Sequence, residues 1–198
     1  MRITGGPARG RKFARSGEIG VRPPLARLRQ SVFSIIQDRI DGSRVLDLFA
    51  GSGAFGLEAL SRGARHVLFV EQSQGAARNL EVNLRSLGFR SRARVLRANA
   101  LAELASAAAN ADAVFDLVFI DPPFRLFEQP RDREALRARV QSLLSGSSLA
   151  SDGLIVLRTP GDTEPPFDAA CSSVRRYGRS SVWLIEKDDP AVDGPDSS

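Results

Sequence analysis

Short apolar runs alternate with helical segments through most of this chain, and that alternation restricts the fold more than any other feature. Five runs predict strands, at residues 45–50, 67–70, 94–97, 115–120 and 154–157. The segments between them predict helices, at residues 57–60, 76–87, 101–109 and 131–144. Strands that alternate with helices are typical of an α/β protein whose parallel sheet is covered on both faces.

The two ends of the chain differ from this pattern. Apolar residues spaced by three and four follow Pro23-Pro24, which predicts a helix over residues 25–40. Residues 173–177 and 181–185 flank Gly178 and predict a hairpin. We therefore divide the chain into three parts: an N-terminal arm and helix (1–43), an α/β domain (44–187) and a disordered acidic tail (188–198).

Positive charge is concentrated near the N-terminus. The chain of 198 residues has a net charge of +5, but residues 1–44 alone carry ten basic and three acidic side chains. A basic arm on a slightly acidic body indicates a polyanionic partner such as a nucleic acid. The alternative is a solvated basic face produced by a preference for arginine, because Lys12 and Lys187 are the only lysines.

Composition excludes several classes of protein. The chain has one cysteine, Cys171, and one histidine, His66, too few for a disulfide framework or a zinc site made of these residues. We expect no metal. No apolar run approaches the ~20 residues of a membrane span, and the N-terminus lacks the apolar core of a secretory signal. We therefore expect a cytoplasmic protein with no membrane partner.

A glycine cluster follows the first predicted strand. Gly51, Gly53 and Gly56 match G-x-G-x-x-G, and Glu71 ends the second strand twenty residues after Gly51. Glycines let the backbone approach a ligand closely, the next helix offers free N–H groups, and a carboxylate can accept both hydroxyls of a ribose. The pattern predicts a site for NAD or S-adenosylmethionine, with a tight strand-to-helix turn as the structural alternative.

The tetrapeptide Asp121-Pro122-Pro123-Phe124 follows the fourth predicted strand. Two prolines make a stiff turn that lacks two N–H donors, so carbonyl and carboxylate oxygens point into the cleft. These acceptors suit an N–H donor on a substrate, and Phe124 offers a flat face to a nucleobase. A hydride-transfer site has no evident use for this set, which favours S-adenosylmethionine over NAD; a plain loop is the alternative.

The glycine cluster at 47–56, Glu71 and residues 121–124 together resemble class I S-adenosylmethionine-dependent amino-methyltransferases. The N-terminal arm narrows the resemblance to bacterial 16S rRNA guanine-N2 methyltransferases of the RsmD type. The residues that carry this part are Arg2-Ile-Thr-Gly5-Gly6, Arg9-Gly10-Arg11-Lys12, Arg22-Pro23, Arg27-Leu-Arg29 and Phe33. The resemblance covers residues 1–187 and departs from the usual pattern at Pro24, Gln30 and Asn99.

The resemblance implies a Rossmann-like class I methyltransferase fold, a mostly parallel seven-stranded sheet with a C-terminal antiparallel hairpin and a small basic N-terminal extension. It implies methyl transfer from S-adenosylmethionine to the N2 amine of a guanine in small-subunit ribosomal RNA, free or within an assembled particle. We expect a monomer. Alternatives are an amino-methyltransferase acting on adenine or cytosine in DNA or other RNA, an NAD-dependent oxidoreductase, and a non-enzymatic RNA-binding factor.

The resemblance also assigns residue roles. The Asp121 carboxylate and the Pro122 carbonyl would accept the amine's N–H groups, in a corner completed by Pro123, and Phe124 would stack on a flipped base. The residues implied at the cofactor are Asp47, Phe49, Gly51, Gly53, Glu71, Gln72, Asn99, Ala100 and Leu101. Those implied on RNA phosphates are Arg2, Arg9, Arg11, Lys12, Arg22, Arg27 and Arg29.

Overall fold

A seven-stranded sheet forms the centre of the molecule. The computed structural model describes residues 1–14, 24–101, 114–161, 163 and 172–187. The strands in chain order are β1 Arg44–Leu48, β2 His66–Val70, β3 Ala93–Leu96, β4 Phe115–Ile120, β5 Leu149–Pro160, β6 Ser172–Tyr177 and β7 Ser180–Glu186. Their order across the sheet is β3-β2-β1-β4-β5-β7-β6. The first five strands are parallel and β7 runs antiparallel to β5 and β6, which confirms the predicted sheet.

Helices cover the sheet, and their ends follow local sequence signals. They are α1 Pro24–Ile35, α2 Ala54–Ser61, α3 Gln74–Leu87 and α4 Pro130–Ser145. The Ser73 hydroxyl accepts a hydrogen bond from the Ala76 amide at the start of α3, and Gly88 ends that helix with a φ of 79°. A hydroxyl N-cap and a left-handed glycine are the usual boundaries of a helix.

Two elements differ most from the prediction, and α2 also begins at Ala54 rather than at residue 57. β5 starts at Leu149, five residues before the predicted run. The sequence pattern missed this part of the strand because Ser151, Asp152 and Gly153 interrupt the apolar run. The register of β5 against β4 also shifts at this point. α1 ends at Ile35, and a short 3₁₀ helix at Gln37–Arg39 continues the apolar stripe to Ile40. Most of the predicted helix at 101–109 and the whole tail at 188–198 lie outside the described residues.

The N-terminal arm is part of the hydrophobic core. Ile3 and Phe13 are buried in the same cluster as Phe33 of α1 and Phe119 of β4. The Phe33 and Phe119 ring centroids are 5.4 Å apart. The arm closes on itself as a narrow loop, since the Ile3 amide donates to the Arg11 carbonyl at 3.1 Å. Burial of large apolar side chains, each contributing about 1.5–3 kcal/mol, holds the arm against one face of the sheet.

A buried ion network attaches the arm to α2. The Glu58 carboxylate is fully buried and accepts hydrogen bonds from the Thr4 amide at 2.9 Å, the Arg29 guanidinium at 3.2 Å and the Arg62 guanidinium at 2.9 Å. Burial lowers the pKa of Arg29, while the Glu58 charge opposes this shift. Only 2% of Arg29 is exposed. Its burial leaves no surface for the phosphate contact expected from the sequence, so the RNA surface proposed below omits Arg29.

Candidate active site

A cleft of about 370 Å³ opens at the carboxyl ends of the parallel strands, where open α/β sheets bind their ligands. Nine of the thirteen residues predicted for catalysis or cofactor binding line it. These nine are Phe49, Gly51, Glu71, Gln72, Ala100, Asp121, Pro122, Pro123 and Phe124. The lining also includes Val70, Ser73, Ala98, Arg125 and Arg158. The topology thus brings together residues that are far apart in the sequence.

The loop after β1 presents its backbone to the cleft. Phe49 has a φ of 58° and Gly51 has a φ of 55°, so the chain reverses sharply there. A side chain at Gly53 would meet Leu80, and one at Gly56 would meet Phe69. Gly53 and Gly56 therefore allow close packing beneath the loop, whereas Gly51 faces the cleft. A tight turn accounts for the positive φ of Gly51 and Gly53, and close packing accounts for Gly56.

Glu71 is held at the mouth of the cleft by two backbone amides. One carboxylate oxygen accepts a hydrogen bond from the Gly51 amide at 2.8 Å. The other accepts from the Ser73 amide at 2.7 Å. These bonds fix the orientation of the carboxylate and join the end of β2 to the glycine loop.

Asp47 lies beneath the loop and does not line the cleft. The residue is 2% exposed, and its carboxylate accepts a hydrogen bond from the Gly56 amide in the first turn of α2 at 2.9 Å. Burial raises the pKa of Asp47 well above its usual range, and the nearby charges of Asp121 and Glu71 raise it further. Asp47 thus braces the loop from below, and its effect on a ligand would be indirect.

The end of β3 contributes less to the cleft than expected. Ala98 and Ala100 line the cleft, but Asn99 and Leu101 do not, and neither does Gly53 in the loop after β1. The exposed Asn99 side chain accepts a hydrogen bond from the Leu101 amide at 2.9 Å and so shapes the turn.

The turn after β4 forms a stiff corner in the cleft wall. Pro122 and Pro123 have no amide hydrogens, and Pro123 leads into a short 3₁₀ helix at Phe124–Glu128. The Leu126 amide donates to the Pro123 carbonyl at 2.9 Å, which fixes this helix. The Phe124 ring meets the Phe127 ring edge-on with centroids 6.4 Å apart. The corner thereby presents a carboxylate and an aromatic face to the same space.

Arg158 is a cleft residue that sequence reasoning missed. It follows the apolar run of β5, and one guanidinium nitrogen lies 2.6 Å from an Asp121 carboxylate oxygen. The guanidinium also lies over the Phe124 ring, 4.6 Å from its centroid. The one signal in the sequence was a charged residue at the carboxyl end of a buried strand, but the predicted strand stopped at Leu157. Only the topology shows that this position neighbours Asp121.

The described basic residues implied on RNA, apart from Arg29, are all exposed, but Arg2 and Arg11 also donate hydrogen bonds to backbone carbonyls. Arg9 and Lys12 are exposed, as is Arg2, which also donates to the Gly10 carbonyl at 3.0 Å. Arg11 is exposed too, but it donates to the Leu87 carbonyl at 2.9 Å and to the Ser86 carbonyl, at the end of α3. Arg27 is exposed on α1, and Arg22 lies outside the described residues.

Met1 and Ala14 place the arm beside the glycine loop. The Ala14 amide donates to the Asn83 side chain at 2.9 Å, and Asn83 in turn donates to the Ser52 carbonyl at 3.2 Å. The Ser52 hydroxyl also lies 3.5 Å from the Met1 sulfur. Asn83 of α3 therefore links the arm to the loop, which brings the basic segment close to the cleft.

Comparison with known proteins identifies the family. The family model described as Conserved hypothetical protein 95 matches residues 1–186. Ribosomal RNA small subunit methyltransferase D of Escherichia coli K12 is 35% identical over 89% of this chain and 83% of its own length. The chain belongs to the RsmD family. The resemblance inferred from the glycine cluster, the tetrapeptide and the arm is thereby confirmed.

Solved structures agree with this assignment. A hypothetical protein of Thermus thermophilus is 34% identical, with a TM-score of 0.77 over 94% of this chain and 99% of that one. TrmN from Thermus thermophilus is 24% identical, with a TM-score of 0.64 over 85% of this chain and 50% of that one, and shows the fold alone. The expected class I methyltransferase fold is confirmed.

No helix within the described ranges is both long and apolar enough to cross a membrane. Among the same residues, no group of three or more His, Cys, Asp or Glu side chains is placed to hold a metal ion.

Proposed function

We propose that this member of the RsmD family transfers a methyl group from S-adenosylmethionine to the exocyclic N2 amine of a guanine in small-subunit ribosomal RNA. One observation carries the proposal: the Asp121 carboxylate sits on a diproline corner in the same cleft as Glu71 and the glycine loop. The E. coli relative, which is named as a ribosomal RNA small subunit methyltransferase, supports the substrate class.

The cleft fits the proposed cofactor chemically. The fixed Glu71 carboxylate suits a ribose diol, because each oxygen can accept a further hydrogen bond. Gly51 lets the backbone approach the amino-acid end, and the apolar surface of Val70, Ala98 and Ala100 suits a purine. When bound, S-adenosylmethionine supplies an electrophilic methyl group on its sulfonium. We expect Phe49 and Gln72 to border the same ligand.

The corner at 121–124 would make the exocyclic amine of guanine, a weak nucleophile, more reactive. The lone pair of an exocyclic guanine amine is delocalised into the ring. Two acceptors, the Asp121 carboxylate and the Pro122 carbonyl, would hold its N–H groups and direct the lone pair toward the methyl group. The nitrogen would become cationic as the new N–C bond forms and the S–CH₃ bond breaks, which releases the neutral thioether S-adenosylhomocysteine. The negative carboxylate would therefore stabilise charge that develops only in the transition state. Proton loss to solvent then restores the neutral amine.

The target base must leave its base stack in the RNA to reach the cleft. Phe124 offers an aromatic face in the cleft on which a flipped base can stack. Holding the amine in line can lower the barrier by as much as ~7–11 kcal/mol. In this proposal, positioning and one fixed charge replace a general base.

Nucleoside analysis tests the proposed reaction. The protein is incubated with tritiated S-adenosylmethionine and either free 16S rRNA or small-subunit particles from a bacterial strain that lacks the corresponding gene. We expect label in N2-methylguanosine after digestion. Label confined to N6-methyladenosine or a methylated cytosine would overturn the assignment to guanine, and the absence of label from both substrates would overturn the proposed activity.

Replacing Glu71 with glutamine is expected to weaken the binding of S-adenosylhomocysteine by about 10- to 100-fold. The substitution removes the charge and one acceptor while preserving the size of the side chain, and the bond to Gly51 or Ser73 is lost with it. Isothermal titration calorimetry measures the change. The control is Glu134→Gln, an exposed glutamate on α4. Equal dissociation constants for Glu71→Gln and the unaltered protein would refute the ribose contact.

Removing two cationic side chains of the arm is expected to weaken RNA binding and to leave the affinity for the cofactor unchanged. Arg9 and Lys12 are exposed, and in the Arg9→Ala/Lys12→Ala double variant we expect the slope of log affinity against log salt to fall by roughly 2. Filter binding of a 16S rRNA fragment at several salt concentrations measures the slope. The matched control is Arg94→Ala/Arg137→Ala, two exposed arginines on β3 and α4. If the slope falls equally in both variants, the arm binds RNA no more specifically than any other basic part of the surface.

A further inference from the structure

Arg158 contacts both parts of the proposed base-binding corner, although nothing in the proposed reaction assigns it a role. Its side chain is 8% exposed, which is unusual for a cation in a cleft. Each buried cation needs an opposite charge or strong hydrogen bonds to offset its lost hydration. The partners of Arg158 are therefore informative about what holds it there.

Three contacts fix the guanidinium. One nitrogen bonds the Asp121 carboxylate at 2.6 Å, and Nε donates to the Ser180 hydroxyl at 3.3 Å. The flat group also lies over the Phe124 ring, 4.6 Å from its centroid. The planar guanidinium makes two directional hydrogen bonds and one face contact at once, which the ammonium of a lysine cannot reproduce.

These contacts link the corner to the sheet. Arg158 is on β5 and Ser180 begins β7, opposite Pro160 in the antiparallel pair. Asp121 follows β4, and its amide donates to the Leu48 carbonyl of β1 at 3.5 Å, whereas Pro122 and Pro123 have no amide hydrogens. Arg158 thus adds, from β5, a direct restraint on the Asp121 side chain.

We propose that Arg158 is a positioning residue, which holds the Asp121 carboxylate and the Phe124 ring in the orientation that receives the target amine. The proposal rests on the proposed function, because it concerns the same base-binding corner. Arg158 need not touch the reacting atoms. Its removal should slow the methyl-transfer step by about 10- to 100-fold, the range expected when a reacting group is misplaced by about 1 Å.

Steady-state and single-turnover kinetics of methyl transfer to 16S rRNA or its particle test this role. In Arg158→Ala we expect kcat to fall by about 10- to 100-fold, with KM for RNA and the dissociation constant of S-adenosylhomocysteine within about twofold of the unaltered protein. Arg158→Lys keeps the charge but loses the fork geometry, and it should recover part of the rate. Ser180→Ala removes one support and should lower kcat by a few fold. Arg175→Ala, an exposed arginine on β6, is the control for charge.

Each outcome has one meaning. A lower kcat with partial rescue by lysine supports positioning. An unchanged kcat in Arg158→Ala overturns it, and so does a higher kcat/KM, which would show that the guanidinium competes with the base for the corner. If Arg158→Ala loses cofactor affinity or melts far below the unaltered protein, the role is structural and the proposal is also overturned. Failure of the unaltered protein to methylate any RNA would instead refute the proposed function, so the two failures are distinguishable.

Discussion

Replacing Asp121 with alanine is expected to reduce methyl transfer by at least about 10³-fold, while S-adenosylhomocysteine binds with nearly unchanged affinity. The variant loses the acceptor that orients the amine and the charge that stabilises the cationic nitrogen in the transition state. Glu71 and the glycine loop, which carry the proposed cofactor contacts, have their own hydrogen bonds and do not depend on Asp121. Single-turnover transfer and calorimetry measure the two effects separately.

Asp121→Asn is the sharper variant because it preserves the shape of the side chain. Arg158 can only donate, so it would take the amide oxygen of the new side chain and leave the NH₂ group toward the substrate. An NH₂ group facing the target amine offers no acceptor for its N–H groups. We therefore expect a loss of about 10²-fold or more even in this variant. Near-normal rates in both variants would remove Asp121 from the mechanism.

Replacing Glu58 with alanine is expected to destabilise the fold by about 3–5 kcal/mol. Glu58 is fully buried, and its loss leaves the Arg29 cation, itself 2% exposed, without its carboxylate partner. The same substitution removes the acceptor for the Thr4 amide, so the arm loses an attachment to α2. Urea unfolding followed by circular dichroism measures the free energy, and the melting temperature should fall on the order of 10 °C.

Glu186→Ala is the matched control for this effect. Glu186 also pairs with an arginine, Arg39, at 2.8 Å, but the two side chains are 61% and 41% exposed. Water screens such a pair, so its loss should cost less than about 1 kcal/mol. Equal destabilisation by both substitutions would show that burial of the Glu58 network contributes nothing particular to the attachment of the arm.

The fold was predictable from local patterns, because a parallel sheet covered on both faces is made of short apolar runs. β4 was predicted at its observed bounds, and the hairpin of β6 and β7 was predicted from the two segments that flank Gly178. The start of β5 was not predictable in this way. Its first residues include Ser151 and Asp152, and only pairing of Leu149 with Phe115 makes them part of a strand.

The site was predictable where its residues end strands. Glu71 and Asp121 follow apolar runs directly, and parallel strands bring their carboxyl ends to one edge of the sheet. The sequence did not predict whether a side chain lines the cleft or is buried below it. Asp47 has the same kind of sequence context as a ligand-binding residue, yet it is buried under the loop. The partners of Arg29 and Arg158 were equally hidden, since each guanidinium pairs with a carboxylate about thirty to forty residues away.

A crystal structure with S-adenosylhomocysteine and a fragment of small-subunit rRNA tests the central claim most directly. The distances to measure run from the N2 atom of the bound guanine to the Asp121 carboxylate and the Pro122 carbonyl. We expect both to lie within hydrogen-bonding range, about 2.7–3.2 Å, with the base against Phe124 and the ribose of the cofactor product on Glu71. A target base bound elsewhere, or a corner turned away from the cofactor product, would contradict the proposed mechanism.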